Sequence, residues 1–308
     1  MRLGVIDLGT NTFNLLIVDV FENGIFREVY RSRKFIHLAE EGIKTIGLAP
    51  YQRGIEALNH FALQLMHYQV RKFKVKGTAA LRTASNGAAF LEEVKAKTNI
   101  QISTITGDEE ARLIYLGVRE AVPLTATPVL IIDVGGGSVE FIICNKDKLF
   151  WAQSFPIGVA VLYKNFHHSE PISTNEINAL EQFLTNTLKP LKNAIEGFNI
   201  ETLIGASGTF DVFAHALPIR NKYKHAARIE FSPFQPLYQK VIRASYEERL
   251  TLPEVPKERK KLIVVALILI DFVLRMTGIE DIVISNFAMK EGMIQELLID
   301  AKKKNIEK

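Results

Sequence analysis

The chain has 308 residues, enough for two domains of ordinary size, and 47% of them are hydrophobic, enough to build a core in each. A formal charge of +4 and a sequence pI of 8.9 favour anionic partners, yet the chain lacks the dense basic stripe or base-reading motif of a nucleic-acid binder. Its one cysteine, Cys144, excludes an intrachain disulfide and, set in an apolar run, reads as a small buried side chain.

Residues 3–8 and 15–20 are apolar runs separated by Gly9, Thr10, Asn11 and Thr12, the pattern of two strands joined by a tight turn. The strand pattern begins so close to Met1 that it leaves no room for a signal peptide. A third strand is expected at 25–30. Helical spacing follows at 54–70, carried by Ile55, Leu58, Ala62, Leu65 and Met66. Strands at 73–79 and 100–105 flank a helix at 88–97, and another helix begins near Glu109. After Pro123 and Pro128 the pattern restarts, with strands at 129–134, 139–144 and 149–155. A helix at 175–195, a short strand at 202–206, a helix at 259–276, a strand at 281–285 and a helix at 290–298 complete the chain. Strands alternating with helices predict an α/β fold. The expected domains are 1–122 and 123–308, with the last helix able to pack back on the first. The longest apolar run, 262–274, is too short to span a bilayer and contains Asp271, so a soluble cytoplasmic protein without membrane contact is expected.

One pattern occurs twice. Ile6-Asp7-Leu8-Gly9-Thr10-Asn11-Thr12 and Ile132-Asp133-Val134-Gly135-Gly136-Gly137-Ser138 each run strand, aspartate, apolar residue, glycine, two small residues and a hydroxyl, and each is followed by a second apolar strand. Glycines let backbone N–H groups approach an anion together, and Thr10, Asn11, Thr12 and Ser138 add side-chain donors. Asp7 and Asp133 cannot bind phosphate directly, but each can hold Mg²⁺, or Mn²⁺ in its place, through the metal's waters. The alternative reading is a pair of ordinary hairpins with buried aspartates.

The doubled turn resembles the superfold of actin, hexokinase and the heat-shock chaperones. The chain is further similar to the exopolyphosphatase and guanosine pentaphosphate phosphatase family. The matching stretches are Val5 to Thr12, Thr78-Ala79-Ala80-Leu81-Arg82, Gly107 to Tyr115 with its Glu109-Glu110-Ala111-Arg112, Asp133 to Glu140, Phe155-Pro156-Ile157-Gly158, Gly205 to Thr209, and Lys290-Glu291-Gly292. Lys290 stands where the family has Arg, and Val139 where a Thr is usual. Longer members continue into an additional helical domain that this chain does not reach.

The resemblance implies two actin-like ATPase domains facing across a cleft. It implies Mg²⁺-assisted attack of water on a terminal phosphoanhydride, with Glu110 orienting or deprotonating the water and Glu109 complementing the helix dipole. Arg82 is expected to bind phosphate with its guanidinium fork, the alternative being a surface salt bridge, and Glu140 to lie near the water or metal, the alternative being an exposed strand glutamate. Ser207, Gly208 and Thr209, at a strand-to-helix junction, are expected to border the phosphate site with Gly9, Gly135, Gly136 and Gly137. Inorganic polyphosphate, in short chains, is the expected substrate and guanosine pentaphosphate the alternative; a nucleotide-binding switch of the actin type and a kinase are the competing classes. A homodimer is compatible with the sequence. Arg31, Arg33 and Lys34 form a basic run that either guides polyanions or is a solvated face, and His167 and His168 read as surface loop.

Overall fold

A computed structural model of the chain describes residues 1–21, 25–206 and 208–306, with backbone only for 302–306. It groups into two compact units, Met1–Gly117 with Met289–Lys308, and Val118–Ala288. The division expected after residue 122 thus comes after Gly117, and the chain beyond Ala288 belongs with the first unit rather than the second.

The first unit opens as an antiparallel meander of β1 (Arg2–Leu8), β2 (Thr12–Val20) and β3 (Phe26–Phe35). It continues through α1 (Leu48–His67), β4 (Lys72–Gly77), α2 (Ala79–Thr83), α3 (Gly87–Thr98), β5 (Ser103–Thr104) and α4 (Gly107–Ala121). The sheet order is β3-β2-β1-β4-β5, with β4 parallel to β1 and β5 parallel to β4. Alternation along the strands sends Ile6, Leu8, Leu15, Ile17 and Val75 to one face, buried with Ile55, Leu58 and Phe61 of α1 and Phe90 and Val94 of α3. Leu3, Val5, Leu16 and Val18 are as fully buried on the opposite face.

Several expected bounds move for local reasons. Helix α1 begins at Leu48 because Pro50 falls in its first turn, where a missing N–H costs nothing. The strand expected at 100–105 shrinks to two residues. Strand β3 runs on to Phe35, so Arg31, Arg33 and Lys34 lie on a sheet edge, where charge discourages pairing with other chains.

The second unit repeats the plan. Strands β6 (Val129–Val134), β7 (Val139–Cys144) and β8 (Leu149–Phe155) form a second antiparallel meander. Helices α5 (Val159–Phe166), α6 (Thr174–Thr187) and α7 (Lys189–Ile195) lead to β9 (Thr202–Ala206) and α8 (Asp211–Ala216). Strands β10 (Ile219–Lys222) and β11 (Ala226–Ile229), helices α9 (Phe234–Arg243), α10 (Tyr246–Thr251) and α11 (Ile263–Thr277), and strand β12 (Asp281–Ser285) follow. The sheet has seven strands in the order β10-β11-β12-β9-β6-β7-β8, with β9 parallel to both β6 and β12. Its inner part matches the first sheet; β10 and β11 add an antiparallel edge that the sequence pattern did not suggest.

The helix expected at 175–195 is two, because Pro190 at the start of α7 cannot continue α6. The longest apolar run is α11, buried from Ile263 to Asp271. Among the described residues no helix is long and apolar enough to cross a membrane. Cys144 is fully buried, and that burial pushes its thiol up to about 12. His167 corrects the sequence reading: His168 is exposed, but His167 caps the end of α5 with its ring buried edge-on against Tyr163, 5.0 Å between centroids.

Helix α12 (Met289–Ile306) returns to β1. Lys74, level with Val5 in the sheet, is bonded by Glu296 and Asp300, and Arg31, level with Leu16, lies 3.4 Å from Glu291. The helix therefore covers the second apolar face of the first sheet, with Met293, Ile294 and Leu297 buried. At Gly292 a Cβ would lie 1.8 Å from the carbonyl oxygen of Leu113, so α12 and α4 cross at a distance only glycine permits.

Gly292→Ala is therefore expected to destabilise the protein by about 1–3 kcal/mol, as overpacking does, read as a lower denaturant midpoint. Burial holds His167 below its usual value of 6.5, with Glu170 and Glu176 opposing and Arg249 reinforcing the effect. The unfolded chain then binds the extra proton first. Stability should fall as pH drops below 6.5, by up to about 1.4 kcal/mol per pH unit, and His167→Phe should flatten that acid limb.

Candidate active site

The two repeated turns have the same geometry. In each, the glycine N–H donates to the carbonyl three residues on, Gly9 to Thr12 and Gly135 to Ser138, both at 3.0 Å. A Cβ on either glycine would press on that carbonyl oxygen, at 3.0 and 2.9 Å. In each, a threonine hydroxyl from the loop after the neighbouring parallel strand donates to the carbonyl that ends the first strand: Thr78 to Leu8 at 3.4 Å and Thr209 to Val134 at 3.1 Å. The repetition read from sequence is thus a repetition of hydrogen bonds. Thr209 spends its hydroxyl on that bond. Helix α8, only six residues long, begins at Asp211, so residues 208 and 209 precede it. Ser207 lies outside the described residues.

In the first unit, Thr10 and Asn11 are buried in the turn, and their carbonyls accept the N–H groups of Leu38, and of Ile36 and His37. Asp7, one residue before the end of β1, lies directly opposite Asn14, whose amide donates to Asp7 Oδ2 at 3.4 Å. Glu110 sits in the first turn of α4, 9% exposed, its N–H bonded to the Thr106 carbonyl at 3.0 Å. Arg82, from α2, reaches the same place. Its Nη1 donates to the Ile105 carbonyl and lies 4.0 Å from Glu110 Oε2.

The two neighbouring glutamates differ in kind. Glu109 is gripped by the Arg112 fork at 2.8 and 2.9 Å, which holds its carboxyl below the usual range. Glu110 instead pairs loosely with Arg82 at the strand end. Glu109 is thus held by a short bidentate pair within its own helix, and Glu110 meets a side chain from α2 at longer range. The C-terminal motif belongs to the same unit, where Lys290 lies 3.2 Å from the wholly buried Glu291 and so keeps the charge of the expected arginine.

In the second unit, Asp133 and Glu140 are direct cross-strand partners, 7% and 1% exposed, and Ser154, next in the row, donates to Glu140 at 2.6 Å. Like charges placed opposite each other on a sheet repel, and a bound cation would relieve that repulsion. Val139, where the family has Thr, is wholly buried in the second core. Among the described residues no group of three or more His, Cys, Asp and Glu is arranged to hold a metal. A metal on the Asp133–Glu140 pair would complete its shell with water, as Mg²⁺ readily does.

Asn14 and Ser154 were not singled out from the sequence. The signal was available for Asn14, since it lies seven residues beyond Asp7 as Glu140 lies beyond Asp133, in the same hairpin register. Arg259 was missed as well; its guanidinium lies where a Cβ on Gly208 would be.

The model of the Ppx/GppA phosphatase family matches residues 16–301. The chain belongs to this family. It is 24% identical over 303 residues to a guanosine-5'-triphosphate,3'-diphosphate pyrophosphatase of Vibrio parahaemolyticus and 27% identical over 302 residues to one of Aliivibrio fischeri. These alignments cover 98% and 96% of this chain, which spans 60% of the length of those relatives. Among solved structures, an exopolyphosphatase from Cytophaga hutchinsonii is 32% identical, with a TM-score of 0.91 over 97% of this chain and 98% of that one. The Ppx/GppA family member of Aquifex aeolicus, 22% identical with a TM-score of 0.78 over 97% and 98%, shares the fold. The two sheets are thus those of two actin-like domains.

The contrast between the two glutamates gives a direct test. Glu110→Gln keeps the shape but cannot accept a proton, and is expected to lower kcat by about 10²–10⁴-fold with folding intact. Glu109→Gln is expected to leave kcat nearly unchanged and to cost about 0.3–1 kcal/mol, since its Arg112 partner is largely solvated. Equal, small effects of both on stability and none on kcat would remove the distinction.

Proposed function

We propose that this protein is an exopolyphosphatase that removes the terminal phosphate of short inorganic polyphosphate chains. The observation that carries the reading is the pairing of buried Glu110 with Arg82 at the end of a sheet whose glycine turn is repeated in the second unit. Arg82 neutralises charge on the phosphate being transferred. Glu110 orients a water and takes its proton as the water oxygen bonds to the terminal phosphorus. The bond from that phosphorus to the bridging oxygen breaks, and orthophosphate and a chain one phosphate shorter leave. A cation fits the Asp133–Glu140 pair of the second unit, whose two buried carboxylates lie directly opposite each other, and Asp7 is the matching carboxylate of the first unit's own turn. Mg²⁺, when bound, would lower the charge of the phosphoryl oxygens. The 32% identity to an exopolyphosphatase over nearly the whole of both chains supports this substrate.

Cleavage of the 5'-terminal phosphate of guanosine pentaphosphate is the second reading, favoured by the names of the curated relatives. Both substrates present the same bond, so Glu110 and Arg82 serve either. A nucleotide-binding switch is less favoured, because it has no use for a water-orienting carboxylate.

Phosphate release measured side by side from tripolyphosphate, long polyphosphate, guanosine pentaphosphate and ATP should be greatest with tripolyphosphate. Activity should vanish in excess chelator and return with Mg²⁺. Asp133→Asn should lose most activity while remaining folded. Full activity in chelator would refute the metal, and a clear preference for the guanosine nucleotide would refute the polyphosphate assignment.

A further inference from the structure

A single row of polar side chains crosses four strands of the first sheet. Lys76 on β4, Asp7 on β1, Asn14 on β2 and Arg33 on β3 are successive cross-strand partners, so they share one face. At about 4.8 Å between strands the row is about 14 Å long. The adjacent row on that face, Lys74, Val5, Leu16 and Arg31, is closed over by α12: Val5 and Leu16 are buried, and both cations have acidic partners on the helix. One row nearer the turn the cover stops, and all four polar side chains keep solvent exposure. Asn14 joins two of them, donating to Asp7 Oδ2 at 3.4 Å and accepting from Arg33 Nε at 3.3 Å. Lys76 lies close enough to Glu109, next to Glu110 on α4, to influence its ionisation.

The charge pattern of this row bears on substrate choice. Asp7 alone would repel a polyanion. With a cation on either side the row is net positive, and its two positive ends are separated by about three strand spacings. A single phosphate group cannot meet both ends, whereas a run of linked phosphates can. We propose that Lys76 and Arg33 bind the phosphates adjoining the one that is cut, so that this row selects substrates carrying several consecutive phosphates. The inference rests on the phosphoanhydride hydrolase reading above and deepens it. Asn14 is a positioning residue within the row, fixing Arg33 relative to Asp7.

Lys76→Gln and Arg33→Gln are tested singly and together, with Lys148→Gln, an exposed lysine of the second unit, as the charge-matched control. Each substitution in the row is expected to raise KM for tripolyphosphate by about tenfold to a hundredfold, the worth of a hydrogen bond to a charged group, with kcat little changed. The salt dependence of KM should weaken in step. Lys76→Arg should restore KM, and Lys148→Gln should leave it unaltered. In a Glu110→Gln background, calorimetric titration with tripolyphosphate should show the same losses in affinity without turnover, and thermal midpoints confirm that each variant is folded. Unchanged KM and affinity in the folded double variant, with wild-type cleavage intact, would overturn this inference alone. A wild type that releases phosphate from no phosphoanhydride would overturn the functional reading and this inference with it.

Discussion

The hydrogen bond from Gly9 to the carbonyl of Thr12, with its twin from Gly135 to Ser138, turns the chain back within four residues at the end of a buried strand. So tight a return fixes what lies next to what. The residue just before the strand's last apolar position meets a defined partner on the returning strand, Asn14 for Asp7 and Glu140 for Asp133. The crossover strands then bring Thr78 and Thr209 onto the carbonyls that end β1 and β6. Carboxylates, hydroxyls and turn backbone are thus gathered at the carboxyl ends of parallel strands, where open α/β sheets bind their ligands.

In the first unit the charges near that strand end are sorted by the partner each one takes. Arg112 takes Glu109 and Glu296, and Lys74 takes Glu296 and Asp300, tying α4, α12 and β4 together. Each of these pairs is partly solvated and individually of modest worth. Their collective effect is orientation: with α4 fixed by Arg112 and by the Gly292 crossing, the first turn of the helix presents Glu110 to Arg82 rather than to solvent. Position along a helix and choice of partner thus separate two adjacent glutamates that the sequence writes identically.

Much of this was legible before the structure. The aspartate-glycine repeat and the strands at 129–134, 139–144, 149–155 and 281–285 follow from local pattern, whereas the approach of Arg82 to Glu110 was not foreseen. What was not legible depends on tertiary contact. Strands β10 and β11 have only four residues each, too short to stand out as strands in the sequence, and β12 offers β11 an edge to pair with as β11 does for β10. The burial of His167 comes from packing against Tyr163, which no local pattern of residues encodes. Helix α12 is apolar on a face whose partner lies almost the whole chain away, so local pattern left its membership of the first unit open. Asn14 was passed over because an asparagine in a strand attracts no notice until the hairpin register sets it against Asp7.

The return of α12 to β1 also sets the order in which the molecule can be completed. A chain emerging from the ribosome presents its N-terminal end first. The meander of β1, β2 and β3 can pair early, and α1 and α3 can cover one of its faces before β6 is made. The other face, with Leu3, Val5, Leu16 and Val18, must wait for residues 289–306. Until those residues follow, that face lacks the cover that α12 gives it. Helix α4 is seated against that late-arriving partner, so the first turn that carries Glu110 takes its final place only after residues 289–306 have followed.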